Sequence, residues 1–425
     1  MSNAPTPDLS LKAFRRKVFY IPGYDPFPPR RYRELYRFEG AAQAAISEYS
    51  VTMQPSLPRK KGSDVPYGWL ALGVMDGTET RVDVEVMIWS DIVKSSMPDG
   101  ILATYWQMVS TMWVYFASGA FFRQMRLRKG PTVAALYPVL HLVGQALIAT
   151  VIGAAAAWLL SFIHPALALL GLIAAYGFLT LAKKYDHHIL AHYLMHDFAF
   201  SAQYWGAYPP ELSARMGTFA ARIQQSLLGD FNEVLIVGHS SGAYMGVTIL
   251  SDILRAGLPE KRPEISFLTI GQVVPMVSFL PRATRLRGDL HYLCQRDEIT
   301  WVDVTAPGDG CSFALCDPVA VTGLAPMVGA NGAGPNGAGA DGGGQKWPLI
   351  VSCAFTQTLS PETWAKLRYK FFRLHFQYMC AFDRVGHYDY FRITAGPQTL
   401  AQRYAGVAPS PQRITKALSY YRDIT

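Results

Sequence analysis

The sequence is short of charge and of cysteine. Only 16% of its 425 residues are Asp, Glu, Lys or Arg, where a soluble domain averages about 25%. Between residues 131 and 182 there is no charged side chain at all. The five cysteines, Cys294, Cys311, Cys316, Cys353 and Cys380, are odd in number. The one close pair, Cys311 and Cys316, has no second pair to complete a four-thiolate metal site, so reduced thiols in a cytosolic compartment are expected. Residues 1–16 are polar and then basic without an apolar core, so no cleavable signal peptide is expected. No Walker A loop, no G-x-G-x-x-G and no nucleic-acid signature occurs, so neither a nucleotide cofactor nor a nucleic-acid partner is expected. The Gly-rich run 328–345 is not a phosphate cradle, because no strand leads into it and no Lys-Ser/Thr follows. Its composition predicts a flexible surface loop.

The uncharged stretch carries its own punctuation. It holds about 50 residues, too many for one membrane span and enough for two of roughly 20 each. Arg123, Arg126, Arg128 and Lys129 precede it, and Lys183 and Lys184 follow it. The excess of 39 Lys and Arg over 31 Asp and Glu, a net +8, therefore points to an anionic membrane surface rather than to nucleic acid. The pattern predicts a hairpin of two transmembrane helices, at about 135–163 and 166–182, turning at His164-Pro165. Gly144, Gly153, Ala154 to Ala157 and Gly171 would allow close helix packing. Basic residues at both ends place both ends in the cytoplasm.

Elsewhere strands alternate with helices. Strands are expected at 17–21, 69–74, 81–89, 233–237, 265–270, 299–304 and 349–355. Helices are expected at 32–49, 185–203, 211–228, 241–256, 283–295, 361–372 and 397–404. Residues 101–122, uncharged and rich in Trp, Tyr, Phe and Met, fit a helix under a cap or at a membrane interface. The fold class implied is α/β with a mostly parallel sheet flanked by helices and the hairpin as an insertion. The chain divides into 1–100, an inserted lid and membrane part at 101–206 with its hairpin at about 132–182, and 207–425.

The sharpest motif is Gly238-His239-Ser240-Ser241-Gly242, a G-x-S-x-G between an expected strand and an expected helix. That context suits a nucleophile elbow, where small residues let the chain turn tightly and expose the serine hydroxyl in front of a helix N-terminus. The Ser241 N–H would then face a developing oxyanion. On these residues the chain resembles the α/β-hydrolase superfamily in its lipase and esterase branch, across everything except the hairpin and the Gly-rich run. The resemblance implies a Ser, Asp or Glu, His order along the chain. It also implies a second oxyanion donor in Ile21-Pro22-Gly23-Tyr24-Asp25-Pro26, with the Tyr24 N–H favoured and the choice between Gly23 and Tyr24 left open. These residues depart from the HGGG form of that loop. The acid is expected at Asp309, in the loop after the strand at 299–304. Asp303 lies within that strand and Asp297 precedes it. Two histidines compete for the base: His387, in a Gly-His-aromatic loop, and His375, near the end of an expected helix.

The resemblance implies a membrane-anchored serine esterase or lipase without metal or cofactor. Its substrate would be an acyl or lipid ester drawn from the bilayer, cleaved through an acyl-enzyme on Ser240. An acyltransferase would use the same residues. Two rival readings are a non-catalytic scaffold and a metalloenzyme built on His188, His192 and His196. These fall at i, i+4 and i+8 and would share one face of a single helix. Oligomeric state is not readable from these residues.

Overall fold

The computed structural model describes residues 13–54, 66–326 and 344–425. Among them, eight strands form one mixed sheet: β1 (Phe14–Ile21), β2 (Ser50–Met53), β3 (Gly68–Met75), β4 (Thr78–Val86), β5 (Glu233–His239), β6 (Glu264–Ile270), β7 (Ile299–Thr305) and β8 (Leu349–Ser352). Their spatial order is β2-β3-β4-β1-β5-β6-β7-β8. β3 runs against both of its neighbours, and the pairs from β4 to β8 are parallel. The architecture is α/β.

Sequence explains the placement of a central strand and of one near the edge. β5 is apolar along nearly its whole length and buried at every residue, the pattern of a parallel strand covered on both faces. β3 alternates instead, with Trp69, Ala71 and Met75 buried and Leu70 and Val74 exposed, as befits a strand near the sheet edge. Its turn to β4 is the two-residue Asp76-Gly77, both at positive φ (50° and 75°), a hairpin geometry that Asp-Gly adopts readily.

Helices cover both faces. Pro210–Ser226, Ser241–Ala256 and Thr284–Leu293 pack on one. Arg30–Ile46 and the C-terminal segments pack on the other. Each fully buried Leu, Ile or Phe in these layers contributes roughly 1.5–3 kcal/mol. At the strands' amino ends, Arg16 and Glu233, both fully buried, form an ion pair at 2.5 Å. Glu233 also accepts from Ser266 Oγ at 2.5 Å and from the Leu400 N–H at 2.7 Å. That network ties three central strands to the C-terminal segment, and it leaves the opposite, carboxyl ends free for the site.

The uncharged block forms two helices, Lys129–Ser161 and Pro165–Lys184, each long and apolar enough to cross a membrane, with a mean hydropathy of 1.9. The first starts earlier than expected because Pro131 falls in its first turn, where no intrahelical N–H bond is lost. At 33 residues it is about 50 Å long, well beyond one hydrocarbon thickness. Its first part, through Leu142, packs on the body of the protein. Past that the surface it presents is largely apolar and exposed, as at Leu147, Val151, Trp158 and Leu159. The two helices cross where small residues meet: a Cβ on Gly153 would stand 2.8 Å from the Gly171 carbonyl oxygen.

Two expected helices are broken. The stretch at 185–203 begins as a short turn at Asp186–His188, passes through Leu190 at φ 61°, and becomes helical only over Ala191–Ala202. Past the break at Leu190, the Asp186 carboxylate accepts from the His192 N–H at 3.0 Å at the new helix start. The stretch at 361–372 divides into Pro361–Leu367 and Phe371–His375. The segment 328–345 lies outside the described residues except for Gly344 and Gln345.

Candidate active site

Ser240 stands at the tip of β5, between His239 and the helix Ser241–Ala256, with φ 55° and ψ −120°. A non-glycine residue held there costs on the order of 1–3 kcal/mol, so its surroundings must hold it. The Ser240 N–H donates to the Ile270 carbonyl at 3.0 Å. Close approach explains the flanking glycines: a Cβ on Gly242 would lie 2.1 Å from the Ile21 carbonyl oxygen, and one on Gly238 2.7 Å from that of Gly242. β1 pairs with β5 so that Ile21 stands opposite Gly238. The loop after Ile21 is thereby pressed onto the serine, and a Cβ on Gly23 would sit 2.9 Å from the Ser240 Cβ. The Ser241 and Tyr24 residues both line the cleft with Ser240. Neither of their N–H groups has an acceptor among the described residues.

The acid and a histidine meet at the same strand ends. Asp309 follows β7 in a turn closed by its own N–H to the Ala306 carbonyl, 2.9 Å. Its side chain is fully buried and accepts three hydrogen bonds: from His375 Nδ1 at 2.8 Å, from Tyr378 Oη at 2.9 Å and from the Cys311 N–H at 2.9 Å. Burial alone would raise its pKa. The His375 charge and these donors outweigh that and hold the carboxyl below its ordinary range. Burial pulls His375 down, and Asp309 more than reverses it, so His375 is held above its ordinary value. Because Nδ1 donates to the carboxylate, the neutral ring carries its lone pair on Nε2. His375 and Ser240 line one cleft.

His387 does not take part. Its side chain is exposed and it lies outside that cleft. Only its carbonyl is engaged, accepting from Arg403 at 2.9 Å. The reason is local: Tyr388 turns inward and donates to the Tyr378 carbonyl at 2.7 Å, and Asp389 caps the helix Tyr390–Ala395. Its two inward neighbours leave His387 facing solvent.

The single histidine face expected from His188, His192 and His196 is not formed, because Leu190 breaks the helix. His192 Nδ1 meets Asp186 at 3.0 Å, and His196 Nδ1 meets Gln107 at 2.7 Å. Among the described residues, one group has ligand atoms near enough to share a metal: Asp309, Cys311 and His375, within 4.8 Å of one another.

Four residues around the site escape a reading of sequence alone. Tyr378, one helical turn beyond His375, holds Asp309 while its own oxygen accepts from the Ala306 N–H at 3.1 Å. His239, the variable residue of the elbow, is buried beneath the serine. Cys311 and Asp197 line the cleft. Asp197 has no hydrogen-bond partner among the described residues, and burial pushes its carboxyl up to about 7. The spacing of Tyr378 from His375 and of Cys311 from Asp309 was the available signal for those two. For Asp197 and His239 there was none, since long-range packing creates their environment.

No protein-family model, curated protein or solved structure matches the chain.

Proposed function

We propose that this chain is a membrane-anchored serine hydrolase of the α/β-hydrolase kind, cleaving a carboxylic ester, and specifically a lipid ester, through an acyl-enzyme on Ser240. The observation that carries this reading is the convergence on one cleft of a conformationally strained serine and a buried, hydrogen-bonded His375–Asp309 pair. Ser240 Oγ attacks the ester carbonyl carbon while His375 Nε2 takes its proton. Asp309 fixes the ring and stabilises its charged form. The N–H groups of Ser241 and Tyr24 are free to receive the tetrahedral oxyanion. His375 then protonates the leaving alcohol, and a water activated by the same imidazole releases the acid.

Lipid is favoured by what walls the cleft. Pro131, Ala134 and Ala135, from the first two turns of the long hairpin helix, face it together with Phe198, Val273, Met276 and Phe372. An acyl chain suits such a wall, and the cleft sits where the hairpin leaves the catalytic body. Basic residues at both hairpin ends put the catalytic body on the cytoplasmic side.

Covalent labelling of the detergent-purified chain by a fluorophosphonate tests the reading. The expected result is that wild type labels and that Ser240→Ala and His375→Ala do not. Failure of the folded wild type to label, with and without added lipid, removes the catalytic reading and leaves a non-catalytic membrane scaffold.

A further inference from the structure

The helix Ile101–Ala117 has an unusual outer face. Its strongly exposed side chains are Leu102, Trp106, Val109, Trp113 and Phe116, at 78%, 72%, 55%, 66% and 41% exposure. They fall at i, i+4, i+7, i+11 and i+14, which is one stripe of a helix. The opposite face, with Thr104, Met108, Thr111 and Tyr115, is buried against the body. On a surface helix the outward face is ordinarily the polar one. Here no residue between Gly100 and Phe122 is charged. Phe122 and Met125 of the next helix, Ala120–Leu127, extend the apolar surface at 52% and 40% exposure.

The stripe adjoins the hairpin. Tyr105 Oη donates to the Leu142 carbonyl of the long hairpin helix at 2.9 Å. Lys183, at the end of the second hairpin helix, donates from Nζ to the Asp99 carbonyl beside the start of the striped helix. Arg123, Arg126, Arg128 and Lys129 follow the apolar surface directly.

We infer that the Leu102–Phe116 stripe is a bilayer-contacting surface, which seats the body of the protein on the cytoplasmic leaflet beside its hairpin. The inference rests on the hairpin's crossing the membrane, as in the function proposed above, and adds a second, non-spanning contact. Three features select lipid over a protein partner. The stripe is continuous with helices of membrane-spanning length. Two of its five side chains are tryptophan, the residue enriched at the headgroup level. Its end meets Arg126 and Lys129, exposed cations suited to anionic headgroups. Held there, the helix keeps the cleft near the leaflet, so an ester lipid reaches Ser240 without leaving the interface.

The test uses the full chain in nanodiscs containing lipids brominated on their acyl chains, which quench nearby tryptophan. Trp158 in the hairpin and the Trp106/Trp113 pair are each replaced by Phe. Quenching falls in both variants relative to wild type if the inference holds. If only Trp158→Phe lowers it, the hairpin is embedded, the stripe is not, and the inference fails while the anchor stands. If neither lowers it, both fail. A second arm compares Trp106→Glu/Trp113→Glu with wild type. Turnover of a vesicle-embedded ester falls about tenfold or more, as expected when apolar interfacial contact is lost. Hydrolysis of a short soluble ester and fluorophosphonate labelling do not change, which shows an intact fold. Equal turnover of the vesicle ester, or two copies per nanodisc that become one in the Glu variant, overturns the inference, the latter in favour of a second copy covering the stripe.

Discussion

His239 Nε2 donates a hydrogen bond to the backbone carbonyl of His375 at 3.1 Å. A carbonyl can only accept, so the proton sits on Nε2, and Nδ1 is left to accept from Tyr20 Oη at 3.3 Å. Burial first, and then the charge of His375, pushes the His239 pKa down to about 3, so the ring stays neutral across the working range. The residue before the serine thus holds the backbone of the proposed base. Replacing it with Ala loosens that backbone, and a misplacement of about 1 Å can cost about 10²-fold in rate. The expected result is a fall in kcat with little change in KM, in a protein that still unfolds cooperatively. A lost KM with unchanged kcat would place His239 in substrate binding instead.

Mutagenesis should separate the two histidines offered by the sequence. Ser240→Ala and His375→Ala should each lose on the order of 10⁴-fold or more in kcat, the scale seen when a member of a catalytic triad is removed. His387→Ala, an exposed side chain outside the cleft, stays within about twofold, since surface changes away from such features are nearly neutral. Loss of activity in His387→Ala with retention in His375→Ala would reverse the assignment.

A base works only when unprotonated, so activity rises with pH through the pKa of His375. Asp309 sets that pKa above the ordinary histidine value against the pull of burial, and Asp197 adds to it. Asp197→Asn removes that smaller contribution, so the acidic limb of the kcat/KM profile moves to lower pH. The profile measured from about pH 5 to 9 on a short ester checks this, the range in which imidazole titrates. An unmoved limb, or one displaced upward, would contradict the role of Asp197.

Burial pushes the carboxyl of Asp303, inside β7, up to about 8, which favours its protonated form at neutral pH. One oxygen accepts from Thr269 Oγ1 at 2.6 Å, and the other has no partner. The sign follows from linkage: a carboxyl whose folded pKa exceeds its unfolded value of about 3.9 binds its proton more tightly in the folded state. Its contribution is therefore whole at low pH and drains away as pH rises towards about 8. Asp303→Asn stays neutral throughout, so the Tm of the variant should gain on wild type between pH 5 and pH 8. A constant difference over that interval would show that Asp303 is ionised in the fold.

Much of this was legible because it is local. The apolar run of β5, the G-x-S-x-G after it and the Asp-Gly hairpin turn each depend on neighbours in sequence, and each stands where its residues indicate. The uncharged block likewise declares its two helices. The site's remaining partners depend on strand register. Ser240 meets Gly23 because β1 lies between β4 and β5, and Asp309 meets His375 across 66 positions of chain. Nothing periodic distinguishes His375 from His387; the inward turn of Tyr388 and Asp389 does. The false histidine face at 188–196 shows the converse error, since i, i+4 spacing matters only if the helix is unbroken, and Asp186 caps it afresh.

The backbone at Ser240 has one more consequence. At φ 55° glycine would sit without strain, whereas serine carries a standing cost of roughly 1–3 kcal/mol. Ser240→Gly would relieve that strain and leave the turn intact. In the function proposed above, that cost is met by packing around the elbow, so the hydroxyl is held in place by the rest of the fold rather than by its own backbone preference.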